Sequence, residues 1–207
     1  MLRKISSTLD LIFAQPFLYK YLRSFFLGGL PTSHVLNYLN TQPDEIIFDI
    51  GCGCGFVSEL IKFRNYFGFD NNTAMLSIAK KRNVSNASYI ETDITKYDFN
   101  GLSADKAIMY GMLHHLNDHD AVGLLNKLCG KVSKCIVTLD PVYATFHIIN
   151  NLLCMFDRGK YVRTADRYCD LIAKTNWKID VMKAVYANTK VAKYLVLRLT
   201  PKTHWPL

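Results

Sequence analysis

Three glycines at alternate positions, Gly51, Gly53 and Gly55, directly follow the apolar run 46–50. Glycine has no Cβ, so a backbone that contains it turns tightly and lies against a ligand where a side chain would collide. The preceding run has the composition of a strand, and residues 56–63 carry apolar side chains at helical spacing. The pattern predicts a strand, a ligand-binding loop and a helix, in that order.

Glycine-rich loops after a strand are typical of dinucleotide sites, whose G-x-G-x-x-G pattern uses its third glycine for close packing of the helix. In this chain position 56 is Phe, and the third glycine is Gly55. The loop therefore suits a ligand other than a pyrophosphate. A nicotinamide-dependent oxidoreductase and a purely structural turn remain as alternatives.

Carboxylates at the ends of two later strand-like runs supply polar groups. Asp70 ends the second run, about twenty residues beyond the loop, where a carboxylate can accept hydrogen bonds from both hydroxyls of a ribose. The polar residues 71–73 that follow it are typical of a helix cap. Asp93 comes after the third run, with the apolar Ile94 next to it. Each acid has a plainer alternative, as a helix cap or a solvated turn residue.

Two histidines, His114 and His115, follow the fourth strand-like run. A histidine titrates near neutral pH, which suits a general base, so both are candidate catalytic residues. The alternative is that they only shape a pocket. His115 and His119 could share one helical face as metal ligands, but the acidic residues beside His119 are better interpreted as a helix start. No metal site is therefore predicted.

These motifs occur in the order found in class I S-adenosylmethionine (SAM) methyltransferases, which residues 41–140 resemble. The resemblance implies SAM as cofactor, with Asp70 at the ribose and with Asp93 and Ile94 at the adenine. The cofactor-binding residues that it implies in this sequence are Asp49, Gly51, Gly53, Gly55, Asp70, Asn71, Asp93, Ile94 and Tyr110.

The acceptor region is expected between the fifth strand and the terminal hairpin, where the family builds its acceptor pocket. Family members that methylate nucleobase amino groups or glutamine carry an Asn/Asp-Pro-Pro-aromatic run after strand four, which this chain lacks. Residues 143–156 are strongly apolar and 157–164 are polar and basic. We expect a small-molecule or lipid-like acceptor with a polar or anionic head, contacted by Tyr143 and Arg163. A core helix followed by a surface turn is the alternative.

The chain has 207 residues, of which 50% are hydrophobic, enough for one domain with a substantial core. Strand-like runs alternate with helical ones, which predicts an α/β fold with a mostly parallel sheet. The resemblance implies a Rossmann-like sheet of seven strands, with helices on both faces and a C-terminal antiparallel hairpin. The predicted regions of this single domain are a helical cap at 1–40, a SAM-binding core at 41–140, an acceptor region at 141–175 and the hairpin at 176–207. The predicted strands after the first are 66–70, 87–90, 104–110, 134–139, 177–181 and 191–199, and the fifth is expected to stop at Pro141.

The formal net charge of +8 lies entirely in the last quarter of the chain. Residues 1–157 contain 14 Lys and Arg against 14 Asp and Glu, whereas residues 158–207 contain 11 against 3. A basic face suits an acidic partner, although a merely solvated face explains it equally well. A non-catalytic binding protein that uses this region as its contact surface is the alternative function. No nucleic-acid-binding motif is present.

The six cysteines lie in predicted strands, helices and the glycine loop rather than in a small loop-rich scaffold. Reduced thiols and a cytoplasmic location are therefore expected. The aromatic segment 8–29 is interrupted by polar residues and does not fit a membrane span. We expect it to pack on the domain or cover the site, with peripheral membrane contact as the alternative. The sequence does not indicate an oligomeric state.

Overall fold

The computed structural model describes residues 29–155, 157 and 159–202. The aromatic segment 8–29, except for its last residue, and most of the predicted cap therefore lie outside the described residues. Within them, the helices are α1 (Thr32–Leu39), α2 (Thr73–Lys81), α3 (Asp118–Leu128), α4 (Ile148–Met155) and α5 (Ala165–Ala173). The strands are β1 (Ile46–Ile50), β2 (Asn65–Asp70), β3 (Ala87–Glu91), β4 (Ala104–Tyr110), β5 (Val132–Tyr143), β6 (Arg163–Thr164), β7 (Trp177–Tyr186) and β8 (Lys193–Pro201).

Seven of these strands form a sheet in the order β3-β2-β1-β4-β5-β8-β7. The pairs from β3 to β5 are parallel, and β8 pairs antiparallel with both β5 and β7. This is the predicted Rossmann-like arrangement with its terminal hairpin. The described residues contain eight strands rather than seven, because the short β6 pairs in parallel with the end of β5.

β5 is longer than predicted and continues through Pro141, where the sequence analysis expected it to stop. β4 ends at Tyr110, opposite Leu139, so it no longer flanks β5 at the proline. The carbonyl oxygen of Pro141 accepts a hydrogen bond from the Tyr168 hydroxyl at 3.2 Å. A proline is tolerated where no neighbouring strand requires its missing N–H. The strand can therefore run on to Tyr143, and its extension supplies the partner for β6.

The prediction of a helix over 56–63 is wrong, because the structure has only a 3-10 turn, Phe56–Glu59, after the glycine loop. The chain must return to the start of β2 within a few residues, and the Arg64 amide already donates to the Glu45 carbonyl at 2.7 Å. Val57 is buried in the core, and Phe56 and Ile61 pack against it without a regular helix.

Both faces of the sheet are covered by helices, as the family resemblance implied. α3 and α5 pack on one face around the buried Trp177, whose indole N–H donates to the Leu125 carbonyl at 2.7 Å. α1 packs on the other face through Val35 and Leu39. Among the described residues no helix combines the length and apolar character that a membrane span requires.

The strand order reverses between β1 and β4, so the loops after these two strands diverge at the carboxyl edge of the sheet. In open α/β sheets a ligand crevice forms at such a point. The loop after β1 carries the glycines, and the loop after β4 contains a second 3-10 turn, Leu113–His115. The fold therefore brings the predicted motifs to one edge.

Candidate active site

A cleft of about 390 Å³ opens at this edge. It is lined by residues that follow β1, β2, β3 and β4. They are Gly51, Phe69, Asp70, Asn71, Asn72, Met75, Thr92, Asp93, Ile94, Thr95, Gly111, Met112, His115 and Leu116. Six of the predicted site residues thus line one cavity: Gly51, Asp70, Asn71, Asp93, Ile94 and His115.

The three loop glycines all have positive φ, but they serve different purposes. At Gly51 a Cβ would lie 2.9 Å from the Met112 sulfur, so glycine lets the loops after β1 and β4 approach across the cleft. At Gly53 a Cβ would meet nothing within 4 Å, which leaves open space beside the backbone. At Gly55 a Cβ would lie 2.8 Å from the Tyr89 ring. Gly55 is therefore required by packing behind the loop rather than by a ligand.

The Asp70 carboxylate joins the glycine loop to the start of α2. Its Oδ2 accepts from the Gly53 amide at 2.8 Å, and its Oδ1 accepts from the Asn72 amide at 2.8 Å. Asn72 is the N-cap of α2, because its side chain accepts from the Met75 amide. Each carboxylate oxygen has two acceptor positions. The position of Asp70 in the cleft lining therefore leaves it able to bind a diol as well.

Asp93 is fixed on the next part of the cleft wall. Its Oδ1 accepts from the Thr95 hydroxyl at 2.7 Å and from the Thr95 amide at 3.1 Å. These hydrogen bonds, together with the nearby Lys96 ammonium, lower the pKa of the Asp93 carboxyl. The carboxylate is thus held ionised beside the buried side chain of Ile94.

Asp49 lies behind the cleft rather than in its lining. Its side chain is buried, and its Oδ2 accepts a hydrogen bond from the Tyr66 hydroxyl. Burial raises the pKa of the Asp49 carboxyl to about 7, against the opposing effect of the Tyr66 hydrogen bond. Its other oxygen, Oδ1, has no hydrogen-bond partner among the described residues. A buried carboxylate beside the loop is thereby left with an unsatisfied acceptor.

Tyr110 is also outside the cleft lining. Its hydroxyl is hydrogen-bonded to the Thr32 hydroxyl at 2.7 Å, and its ring packs edge-on against Phe56 with centroids 5.3 Å apart. Tyr110 therefore ties α1 to the end of β4. Met112 and Leu116 occupy the lining that the sequence analysis left unassigned. Their position directly after a sheet strand was the available signal.

The two histidines have separate environments. His115 is exposed and lines the cleft, whereas His114 is buried with 2% of its surface accessible. His114 Nδ1 lies 2.8 Å from Asp140 Oδ1, and its Nε2 lies 3.1 Å from Asp157 Oδ1. Burial alone would lower the pKa of His114, but the hydrogen bonds to Asp140 and Asp157 raise it to about 9. The imidazole is therefore protonated at neutral pH.

Arg163 is buried beneath the 3-10 turn after β4 rather than in the cleft lining. Its guanidinium donates to the carbonyls of Leu113, Leu116 and Tyr161 at 2.7–3.0 Å. It also donates twice to Asp118 Oδ1, at 2.8 and 2.9 Å. All five guanidinium N–H groups are thus used within the protein. In this structure Arg163 holds the turn that positions His115.

Tyr143, the second predicted acceptor contact, is half-buried at the end of β5, opposite Thr164 of β6. Burial raises the pKa of its hydroxyl, and the neighbouring Cys154 and Asp157 act in the same direction. Tyr143 does not line the cleft.

Comparison with known proteins finds one matching family model and many similar solved structures. Residues 47–133 match the family model described as a methyltransferase domain. No curated protein matches the chain. Among solved structures, magnesium protoporphyrin IX methyltransferase from Synechocystis PCC 6803 with bound S-adenosylhomocysteine (SAH) is similar, with 13% identity and a TM-score of 0.64. The match covers 95% of this chain and 99% of that chain.

Two further structures are similar over most of their length. The DhpI–SAH complex has 12% identity and a TM-score of 0.69, covering 95% of this chain and 96% of that one. The plantazolicin methyltransferase BpumL, in complex with a triazolic desmethylPZN analog and SAH, has 14% identity and a TM-score of 0.67. That match covers 93% of this chain and 94% of BpumL. At these identities the likeness concerns the fold.

Residues 47–133 thus form a domain that matches methyltransferases in sequence and in fold, and SAM is the cofactor that this domain indicates. The cleft fits this cofactor chemically. It places the carboxylates of Asp70 and Asp93 in the lining, and none of its described lining residues is Lys or Arg. Such a lining suits a cationic sulfonium and the polar groups of adenosine, and offers no side-chain cation to a pyrophosphate.

Proposed function

We propose that the protein transfers the methyl group of SAM directly to a small-molecule or lipid-like acceptor. The observation that carries this proposal is the wall of the cleft after β4, where Met112 and Leu116 flank the imidazole of His115. An apolar wall with a single titratable side chain suits an acceptor that has an apolar body and one reactive polar atom. A cavity of about 390 Å³ lies within the range of small-molecule and cofactor sites.

The cofactor contacts that we propose follow the cleft wall. Asp70 accepts from the ribose hydroxyls, and Asn71 lies beside it. Asp93 accepts from the adenine amino group while Ile94 packs against the ring. These assignments are supported by the acceptor capacity of both carboxylates and by their common position in the lining.

SAM supplies a methyl group activated on a sulfonium, so transfer requires no covalent intermediate on the protein. The main task of the protein is to align the acceptor atom with the methyl carbon, and such positioning can contribute about 7–11 kcal/mol in favourable cases. If the acceptor is a hydroxyl, it must lose a proton as it attacks. Only His115 of the two histidines lines the cleft, so we propose it as the general base.

We propose a positioning role for His114, because a buried imidazole held between two carboxylates and protonated to about pH 9 cannot take up a further proton at neutral pH. Arg163 acts on the same turn through its hydrogen bonds to the Leu113 and Leu116 carbonyls. Both residues therefore support the wall that contacts the acceptor.

A transfer assay with methyl-labelled SAM tests the proposal. The acceptor panel should pair amphiphilic phenols, alcohols and acids with water-soluble counterparts that share the same reactive group. We expect label to pass to amphiphilic members, and His115→Gln to lower kcat while SAH affinity is retained. Transfer only to purely hydrophilic acceptors would overturn the proposed acceptor class. SAH binding without transfer to any member would favour the non-catalytic alternative.

A further inference from the structure

The apolar face of helix α4 is exposed to solvent rather than buried in the core. Its buried residues include the polar Asn150, whereas Ile148 and Ile149 are 76% and 64% exposed. Leu152 and Met155 continue the same exposed face, at the spacing of successive helical turns. Directly before the helix, Phe146 is 98% exposed. The term α4 patch is used for Phe146, Ile148, Ile149, Leu152 and Met155.

Hydrogen bonds fix this orientation. The Asn150 side chain accepts from the Lys193 amide at 2.7 Å and donates to the Val142 carbonyl at 2.9 Å. The Asn151 side chain accepts from the Ala144 amide at 3.0 Å and donates to the Ala144 carbonyl at 2.9 Å. Rotating the apolar face inward would break all four hydrogen bonds and leave buried polar groups unpaired. The apolar face is therefore held outward by the fold.

The border of the α4 patch is basic. Residues 141–156 and 181–202 contain no Asp or Glu, and the hairpin turn carries Lys190 and Lys193. The Lys193 amide donates to the Asn150 side chain of α4, which places this turn at the border. The hairpin strand β7 reaches the patch, because the rings of His147 and Tyr186 lie 6.1 Å apart. The Lys193 ammonium lies 5.9 Å from the centre of the Tyr186 ring. An outward apolar helix face with cations along its border is the pattern of an interfacial membrane-binding helix.

We propose that the α4 patch binds the surface of an anionic lipid bilayer. Charge favours this occupant over two others. The N-terminal residues 1–28 carry four Lys and Arg against one Asp, so their net charge of +3 would repel the basic border. A second copy of the chain would bring the same cations to its own patch. Anionic headgroups balance the border while the acyl region receives the apolar side chains.

This surface lies near the cleft. Asp157 follows α4 closely and its carboxylate lies 3.1 Å from His114 Nε2. The His114 ring packs on His115, which lines the cleft, with centroids 4.2 Å apart. A bilayer-bound protein would thus hold its acceptor wall close to the lipid. The proposal itself does not depend on the acceptor, since membrane binding can be measured without it.

Vesicle co-flotation of the full chain, without SAM or acceptor, tests the surface. Phosphatidylcholine vesicles are compared with vesicles that also contain phosphatidylglycerol. The patch variant is Ile149→Ser with Leu152→Ser and Met155→Ser. Its matched control replaces two exposed apolar residues elsewhere, Leu60→Ser and Ile78→Ser, which are 52% and 48% exposed. A charge variant is Lys190→Glu with Lys193→Glu, controlled by Lys80→Glu with Lys81→Glu on α2.

We expect wild type and both controls to bind the anionic vesicles and hardly to bind neutral ones. The patch and charge variants should each lose about ten-fold or more in affinity, since one cation near such a surface is worth about five-fold. All variants should keep their unfolding midpoint and their SAH affinity. Equal binding to both vesicle types, or wild-type binding by the patch variant, overturns the proposal. A lower unfolding midpoint of the patch variant also overturns it, because that would show that the chain itself covers the patch. A wild-type dimer that dissociates in the patch variant overturns it as well.

Discussion

The Asp70 carboxylate has two roles. It accepts hydrogen bonds from backbone amides of the glycine loop and of the α2 cap, and it also lines the cleft. We expect Asp70→Ala to weaken SAH binding by about 10- to 100-fold, because a hydrogen bond to a charged group is worth roughly 1.5–3 kcal/mol. Calorimetric titration measures the change. Asp98→Ala is the control, because Asp98 also accepts an amide two residues on but lies away from the cleft. Equal affinity of a folded Asp70→Ala protein would show that Asp70 is only a cap.

Because the pKa of the buried His114 is raised, we expect the free energy of unfolding to depend on pH. Its folded pKa of about 9 is above the value of 6.5 for a free imidazole, so the folded state binds the proton more tightly than the unfolded state. The resulting stabilisation is complete below pH 6.5 and is lost as the pH rises through about 9. The size of the shift corresponds to about 3 kcal/mol.

Urea unfolding below pH 6.5 and above pH 9 measures this dependence. Asp157→Asn should reduce it, because it removes one of the two carboxylates that hold the imidazolium. His119→Gln serves as the control, since His119 is exposed. A pH dependence of wild type that Asp157→Asn leaves unchanged would contradict the assignment.

At the scale of elements, the 3-10 turn after β4 depends on the segment that precedes β6. Arg163→Ala would leave the carbonyls of Leu113 and Leu116 without their donors, and an unsatisfied buried group costs about 1–3 kcal/mol. We expect a lower free energy of unfolding and weaker SAH binding, because Leu116 lines the cleft. Arg167→Ala, four residues further on, controls for loss of a basic side chain. Loss of acceptor affinity alone, with stability and SAH binding intact, would instead restore Arg163 as a direct acceptor contact.

Two glycines provide an opposed pair of substitutions. A Cβ at Gly159 would lie 1.8 Å from the His114 ring and 2.7 Å from its carbonyl oxygen, so Gly159→Ala should destabilise the protein by about 1–3 kcal/mol. A Cβ at Gly123, inside α3, would meet nothing within 4 Å. Gly123→Ala should therefore stabilise the protein by about 0.5–1 kcal/mol through helix propensity. Thermal unfolding distinguishes the two, and a similar effect of both would contradict this account of the packing.

The sequence was sufficient where a motif and a strand coincide. β1 has its predicted bounds, and Asp70 and Asp93 reach the cleft because carboxyl ends of parallel strands share one edge. The sequence was insufficient where contacts between residues distant along the chain determine the structure. Pro141 continues β5 because β4 has ended beside it, which local propensity cannot show. The burial of Arg163 similarly depends on carbonyls some 50 residues away along the chain.

For the whole molecule, ligand binding and folding are linked. A ligand that binds only the folded state at 100 times its dissociation constant adds about 2.7 kcal/mol of stability. We therefore expect SAH at that ratio to raise the free energy of unfolding by this amount, and the same concentration of NAD to change it little. Denaturant unfolding with each ligand measures the difference. A larger stabilisation by NAD than by SAH would contradict the identity of the cofactor.

The short turn that replaces a helix after the glycine loop has a consequence for ligand discrimination. A phosphate group binds well at the first turn of an α-helix, where free N–H groups and the helix dipole converge on it. Here that position is occupied by the four-residue 3-10 turn Phe56–Glu59, and the charge of Glu59 is balanced by its ion pair with Arg82. SAM carries a sulfonium and no phosphate, so it loses nothing by this exchange. A nucleotide phosphate would find no first turn of an α-helix after the glycine loop, so nucleotides should compete poorly with SAM for this crevice.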